Sequence, residues 1–284
     1  MAIDILSAFS QTPPPQDFIF QGFLAGSVGA LVSPGATGKS FLTLEAAMAV
    51  AGGTDLLGFN PLTFGKVRYF AGEDPESEVI RRVHAIGAHL GEEARQKIAK
   101  NLFLEPVCGS RIDIMIASHR DYIIKHNQDT RLIVFDTLSR IHQMDENSNG
   151  DMARLVSQLE SIAKHTRASV LYLHHTSKAA ATGGMGDQQQ AARGASALID
   201  NARWCGFVAR MTPDEAKKLT DRMDGQPIDD DSRGYYVRFG VSKQNYGIPT
   251  ADKWLKRAEG GVLLPVDLFP AKKQAKRTGG AFDD

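Results

Sequence analysis

ALVSPGATGKS, residues 30–40, runs from an apolar stretch into glycines and ends on a lysine and a serine. A strand that enters a Gly-rich turn and leaves it as a helix aims several backbone N–H groups at one point, where a phosphate can accept them. Gly35 and Gly38 permit positive φ and a close approach of the backbone, Lys39 can reach the β- and γ-phosphates, and the Ser40 hydroxyl can ligate Mg²⁺. Pro34, Gly35, Ala36, Thr37, Gly38, Lys39, Ser40 and Phe41 therefore form a candidate ATP cradle. The position at which such loops usually carry their first glycine is Ser33, which bears on how tightly the chain enters the turn. The surroundings support the reading: Val28 to Val32 has the character of a buried strand, and FLTLEAAMAV that of a helix closed by Gly52 and Gly53.

Beyond this turn, short β-branched or aromatic runs alternate with helical patterns: KVRYFAG, PESEVIRRVHAIGAHL, EEARQKIAK, NLFLEP, a helix near 111–126, RLIVFDT, a helix over 151–166, and ASVLYLHHTSK. Such alternation predicts a mostly parallel central sheet flanked by helices. The later runs WCGFVAR, GYYVRFGVSKQNYG and KWLKRAEGGVLLP read as antiparallel C-terminal edge strands and a hairpin, after an acidic and polar excursion near 213–234. The expected division is an N-terminal arm over 1–17, extended by the prolines of TPPPQD, one α/β domain over 18–268, and a disordered basic tail over 269–284.

The bulk properties exclude little. With 284 residues and 42% hydrophobic content the chain can bury one large core. Lys plus Arg, 33, equals Asp plus Glu, 33, so a nucleic-acid surface must be a local patch. Cys108 and Cys205 lack metal-ligand spacing and read as buried small side chains of a reduced, cytoplasmic protein. The apolar run at 18–33 is broken by Gln21 and three glycines, so no membrane span is expected.

RLIVFD closes on Asp136 at a strand's carboxyl end, where open α/β sheets place their ligands; Asp136 there holds Mg²⁺ beside Ser40, or else caps a turn. Thr137 follows it and cannot polarise an attacking water. That base is sought in VRYFAGEDP, whose strand ends at Glu73 and is expected beside the phosphate-loop strand, with Asp74 as helix cap. Alternation in VLYLHHTSK turns one of His174 and His175 toward the site; His175, nearer the following loop, is the candidate γ-phosphate sensor. Lys178, Gln188, Gln189, Gln190 and Arg193 lie on that Gly-rich loop and suit a single-stranded DNA backbone, or are a solvated surface. Arg203, and second to it Lys243 or Arg238, are candidates to reach a neighbouring subunit's phosphates in trans.

Together, GALVSPGATGKS, AGEDP, HRDYIIKH, LIVFDTLSR, LYLHHTSK, GDQQQAARGASALIDNARW and RFGVSKQNYG resemble the RecA and DnaB superfamily of ring ATPases, and within it the RepA-type hexameric replicative helicases of IncQ-like plasmids. The resemblance spans about residues 22–264, and Ser33 matches it. It implies a RecA-like P-loop NTPase core, ATP and Mg²⁺, a ring of six subunits, and 5′ to 3′ movement on single-stranded DNA in the service of plasmid replication. A replication initiator or primase is an implied partner. Carried over, Lys39 and Ser40 hold phosphate and Mg²⁺, Glu73 polarises water, Asp136 holds the metal, His175 senses the γ-phosphate and Arg203 is the finger. The competing readings are a RecA-like regulatory ATPase or recombinase that does not separate strands, a small-molecule kinase, for which no Arg-rich lid is present, and an inactive nucleotide-binding module.

Overall fold

The computed structural model describes residues 2–20, 22–176, 196–247 and 249–272. In chain order the strands are β1 (Phe18–Phe20), β2 (Phe23–Leu24), β3 (Val28–Ser33), β4 (Lys66–Ala71), β5 (Leu102–Pro106), β6 (Thr130–Asp136), β7 (Ser169–His175), β8 (Trp204–Arg210), β9 (Leu219–Thr220), β10 (Tyr236–Gln244), β11 (Lys253–Arg257), β12 (Leu263–Pro265) and β13 (Phe269–Pro270). The helices are α1 (Ile5–Ser10), α2 (Lys39–Val50), α3 (Glu76–Gly87), α4 (Glu92–Asn101), α5 (Ala117–His126), α6 (Asn149–Thr166), α7 (Ser196–Asn201) and α8 (Pro213–Ala216).

Nine strands form one sheet in the order β12-β11-β10-β8-β3-β7-β6-β4-β5. From β8 to β5 the pairing is parallel, and β10, β11 and β12 are added antiparallel. The period-two alternation of strand side chains separates two cores. Leu31, Val67, Val134 and Leu171 face Leu42, Met48, Val79 and Ile98 of α2, α3 and α4. Ala30, Val32, Ile133, Phe135 and Tyr172 face Ile123, Leu155, Leu159 and Leu198 of α5, α6 and α7. With helices on both faces, β3 and residues 169–174 of β7 bury every side chain, which is why β3 and the VLYLH run read as continuous apolar stretches.

Two expectations, the neighbour of β3 and the start of the tail, need correction, and two other regions gain detail. The glutamate strand β4 is not next to β3: β7 and β6 lie between them. The arm contains a helix, α1, capped by Asp4 and with no buried side chain, before the prolines. The tail begins later than 269, because β13 pairs with β9 and Ala271 N–H donates to the Lys218 carbonyl. The polar excursion at 213–234 folds over a small core of its own, built from Met211, Ala216, Ile228 and Tyr236. Of the two cysteines, Cys205 is buried and Cys108 is exposed. No helix among the described residues is long and apolar enough to cross a membrane.

Candidate active site

The carboxyl ends of β3, β4, β6 and β7 open on one edge of the sheet, and the loops that follow them converge there. Residues 34–38 turn from β3 into α2, with Ala36 at φ 57° and Gly38 at φ 105°. A hydroxyl pair closes the base of this turn: the Thr37 hydroxyl donates to the Pro34 carbonyl at 2.8 Å and meets the Ser33 hydroxyl. A serine in place of the usual glycine thus adds a tie across the loop.

Lys39 is nearly buried, and burial holds its ammonium below the usual lysine value against the pull of Asp136 and Glu73. Its Nζ stands 3.1 Å from His175 Nδ1, and His175 Nε2 stands 2.7 Å from Glu73 Oε1. One tautomer satisfies both contacts: Lys39 donates to Nδ1, and a neutral imidazole donates its Nε2–H to the carboxylate. Thr137 adds a second donor to Glu73 Oε1 at 3.2 Å. The bond from His175, opposed by burial and aided by Thr137 and the charge of Lys39, holds the Glu73 carboxyl below the ordinary glutamate value. His174 points the other way, into the opposite face, where burial holds its imidazolium below the usual histidine range.

Asp136 is buried at the end of β6 and accepts from the Tyr69 hydroxyl at 2.6 Å, with Ser40 close by. Burial pushes its carboxyl up, and its Oδ1 has no partner. A buried carboxylate oxygen without a donor, next to a serine hydroxyl at the phosphate loop, fits a hard divalent cation such as Mg²⁺. A cavity of about 250 Å³ lies among Thr37, Lys39, Ser40, Glu73, His175 and Arg257. The larger cavity, about 540 Å³ behind α3 and α4, is walled by apolar side chains such as Val83, Leu90 and Ile98 and has no convergent polar groups for chemistry.

Other predicted residues lie elsewhere. Asp74 does not cap α3, whose cap is Pro75; it pairs instead with Arg82 at 2.7 Å. Arg203 is exposed at the start of β8, the end of the sheet opposite the phosphate loop. Lys243 donates to the Ile199 and Asp200 carbonyls at 3.2 and 2.5 Å, closing the C-terminal end of α7. Arg238 lies between Glu215 and Asp252 and over the rings of Phe207 and Trp254. Lys178, Gln188, Gln189, Gln190 and Arg193 fall outside the described residues. Three participants went unpredicted: Tyr69, Arg210 and Arg257. The signal for Tyr69 was a hydroxyl next to the apolar Phe70 and Ala71 that close its strand, whereas no local pattern marks the arginines.

A family model described as AAA domain matches residues 3–181, more than half of the chain. The chain belongs to the AAA domain family. An AAA domain is a P-loop ATPase domain, and residues 34–41 lie within the matched span. Among solved structures, one ATPase domain is 14% identical, with 87% of this chain and 86% of that one covered and a TM-score of 0.57. A DnaB-like replicative helicase, whose structure is titled with its interactions with primase, is 15% identical over 92% of this chain and 64% of that one, at 0.56. The RadB recombinase is 14% identical over 85% and 90%, at 0.52. At these identities the likeness is one of fold: this AAA domain has the RecA-like ATPase architecture.

Proposed function

We propose that the protein is an ATP-driven DNA helicase of the RepA-like replicative type, assembling as a hexameric ring and moving 5′ to 3′ on single-stranded DNA during plasmid replication. The observation that carries the reading is the Lys39–His175–Glu73 chain at the ends of β3, β7 and β4, with the partnerless Asp136 oxygen beside it. Residues 34–41 cradle the phosphates of ATP. Lys39 binds the γ-phosphate, which draws its ammonium away from His175 Nδ1. Glu73, ionised and hydrogen-bonded on Oε1, orients the attacking water and takes its proton on a carboxylate oxygen. His175 is bonded to both, so it registers whether the phosphate is present and transmits that state into the loop at 176–194, the segment read as DNA-binding. Ser40 and Asp136 would hold Mg²⁺, which would supply positive charge to neutralise the phosphates. Arg203 cannot reach the site of its own subunit and acts on the neighbour's. An initiator or primase is the expected partner, and the cytoplasm the expected compartment.

The likeness to RadB favours the second reading, a RecA-like recombinase or regulatory ATPase. One comparison separates them: ATP hydrolysis with and without single-stranded DNA, together with unwinding of a forked duplex, for wild type, Lys39→Ala and Glu73→Ala. DNA-stimulated hydrolysis and strand displacement, both lost in the variants, support the helicase. Hydrolysis without displacement favours the alternative, and turnover retained in Lys39→Ala overturns the site.

A further inference from the structure

Three consecutive carbonyls of the phosphate loop are met from outside by two guanidinium groups. Arg210, the last residue of β8, donates through Nη2 to the Ala36 carbonyl at 2.9 Å and lies 3.4 Å from that of Gly35. Arg257, the last residue of β11, donates through Nη2 to the Thr37 carbonyl at 2.6 Å. Its guanidinium also lies against Gly38: a Cβ built there would come within 3.0 Å of Nη2. A peptide's N–H and C=O point to opposite sides of the chain, so a cation on the carbonyl side turns and polarises the amides toward the anion side. Ala36 sits at φ 57°, a region that favours glycine, and Arg210 holds that residue's own carbonyl.

The support behind Arg257 is also built. Leu263 of β12 pairs directly with Arg257, and its N–H donates at 2.9 Å to Oε1 of Glu45, a buried residue of α2. Loop, helix, β12 and β11 thus close a circuit that returns to the loop.

We propose that Arg210 and Arg257 are positioning residues that hold the phosphate loop in its anion-binding shape from the carbonyl side. The C-terminal strands are then a working part of the nucleotide site within the same subunit, although both arginines lie outside residues 3–181 that match the AAA domain. The inference rests on reading residues 34–41 as the phosphate loop.

The test is amide hydrogen exchange across residues 34–41 of the nucleotide-free full chain, for wild type and the Arg210→Ala/Arg257→Ala double variant, with binding of fluorescent ADP measured in parallel. The expected result is exchange about tenfold faster in the loop, unchanged exchange in α6 on the far face, and ADP affinity about tenfold weaker. Loop exchange equal to wild type overturns the inference. If wild type binds no ADP, the functional reading fails, while the exchange comparison still decides the positioning role. Should the double variant not fold, Arg257→Lys, which keeps the charge but presents a single ammonium, is read by the same exchange criterion, with an intermediate rate expected and a wild-type rate overturning the inference.

Discussion

Asp136 commits one carboxylate oxygen to the Tyr69 hydroxyl and leaves the other without a partner. Tyr69 therefore fixes which oxygen is left free for a cation. Tyr69→Phe is expected to raise the Mg²⁺ concentration needed for half-maximal hydrolysis several-fold while ADP affinity in EDTA is unchanged; the loss of a buried hydrogen bond alone costs about 1 kcal/mol of stability. A Mg²⁺ titration that superimposes on wild type would remove Tyr69 from the mechanism. Glu73 carries a second expectation. Its folded value lies below 4.5, so the stabilisation from the His175 bond is present above the ordinary carboxylate range and is lost only as pH falls through the lower folded value. The acid limb that Glu73 sets in a kcat/KM profile should thus fall below pH 4.5, and a Glu73 carboxyl seen by ¹³C NMR to titrate near pH 6 would contradict this.

Between elements, the contact of α2 with β12 contains a strongly displaced carboxyl. Burial pushes Glu45 up to about 8, against the bond from Leu263. The folded protein then binds one proton more than the unfolded chain between the ordinary glutamate value and about 8, so this group makes stability fall as pH rises across that window. Glu45→Gln keeps an acceptor for Leu263 and should flatten the decline, with melting temperatures converging on wild type near pH 5 and exceeding it near pH 8.5. Parallel slopes would mean that Glu45 ionises as an exposed carboxyl does. The same scale divides what the sequence disclosed from what it withheld. Apolar runs and helical periodicity located β3, β4, β6, β7, α2, α3 and α6, because those signals are local. The neighbours of β3 were not local information: its partners are 169–175 and 204–210, and Glu73 reaches the site across β7 and β6 rather than from an adjacent strand. Lys39, Glu73, Asp136 and His175 were legible because each ends a strand or loop with recognisable chemistry. Arg210 and Arg257 were not, since they meet the loop from 174 and 220 residues away.

For the whole molecule, the decisive distance runs along β8. Arg210 touches the phosphate loop, and Arg203 lies seven residues earlier on an extended strand, which at about 3.3 Å per residue places it roughly 23 Å off. An arginine so placed reaches phosphates only in another subunit. Mixing inactive Lys39→Ala with inactive Arg203→Ala should therefore restore part of the hydrolysis, because some mixed sites pair an intact lysine with an intact arginine. No recovery on mixing, or a monomer by light scattering with ATP and Mg²⁺ present, would exclude a shared site. The position of β3 in the middle of the sheet also orders events during synthesis. The phosphate loop leaves the ribosome ahead of everything that supports it: its strand has no neighbour until residues 169–175 emerge, and its carbonyls are not held until Arg257 has followed. Between the emergence of Ser40 and that of Arg257, a nascent chain thus carries a complete binding motif without being able to use it.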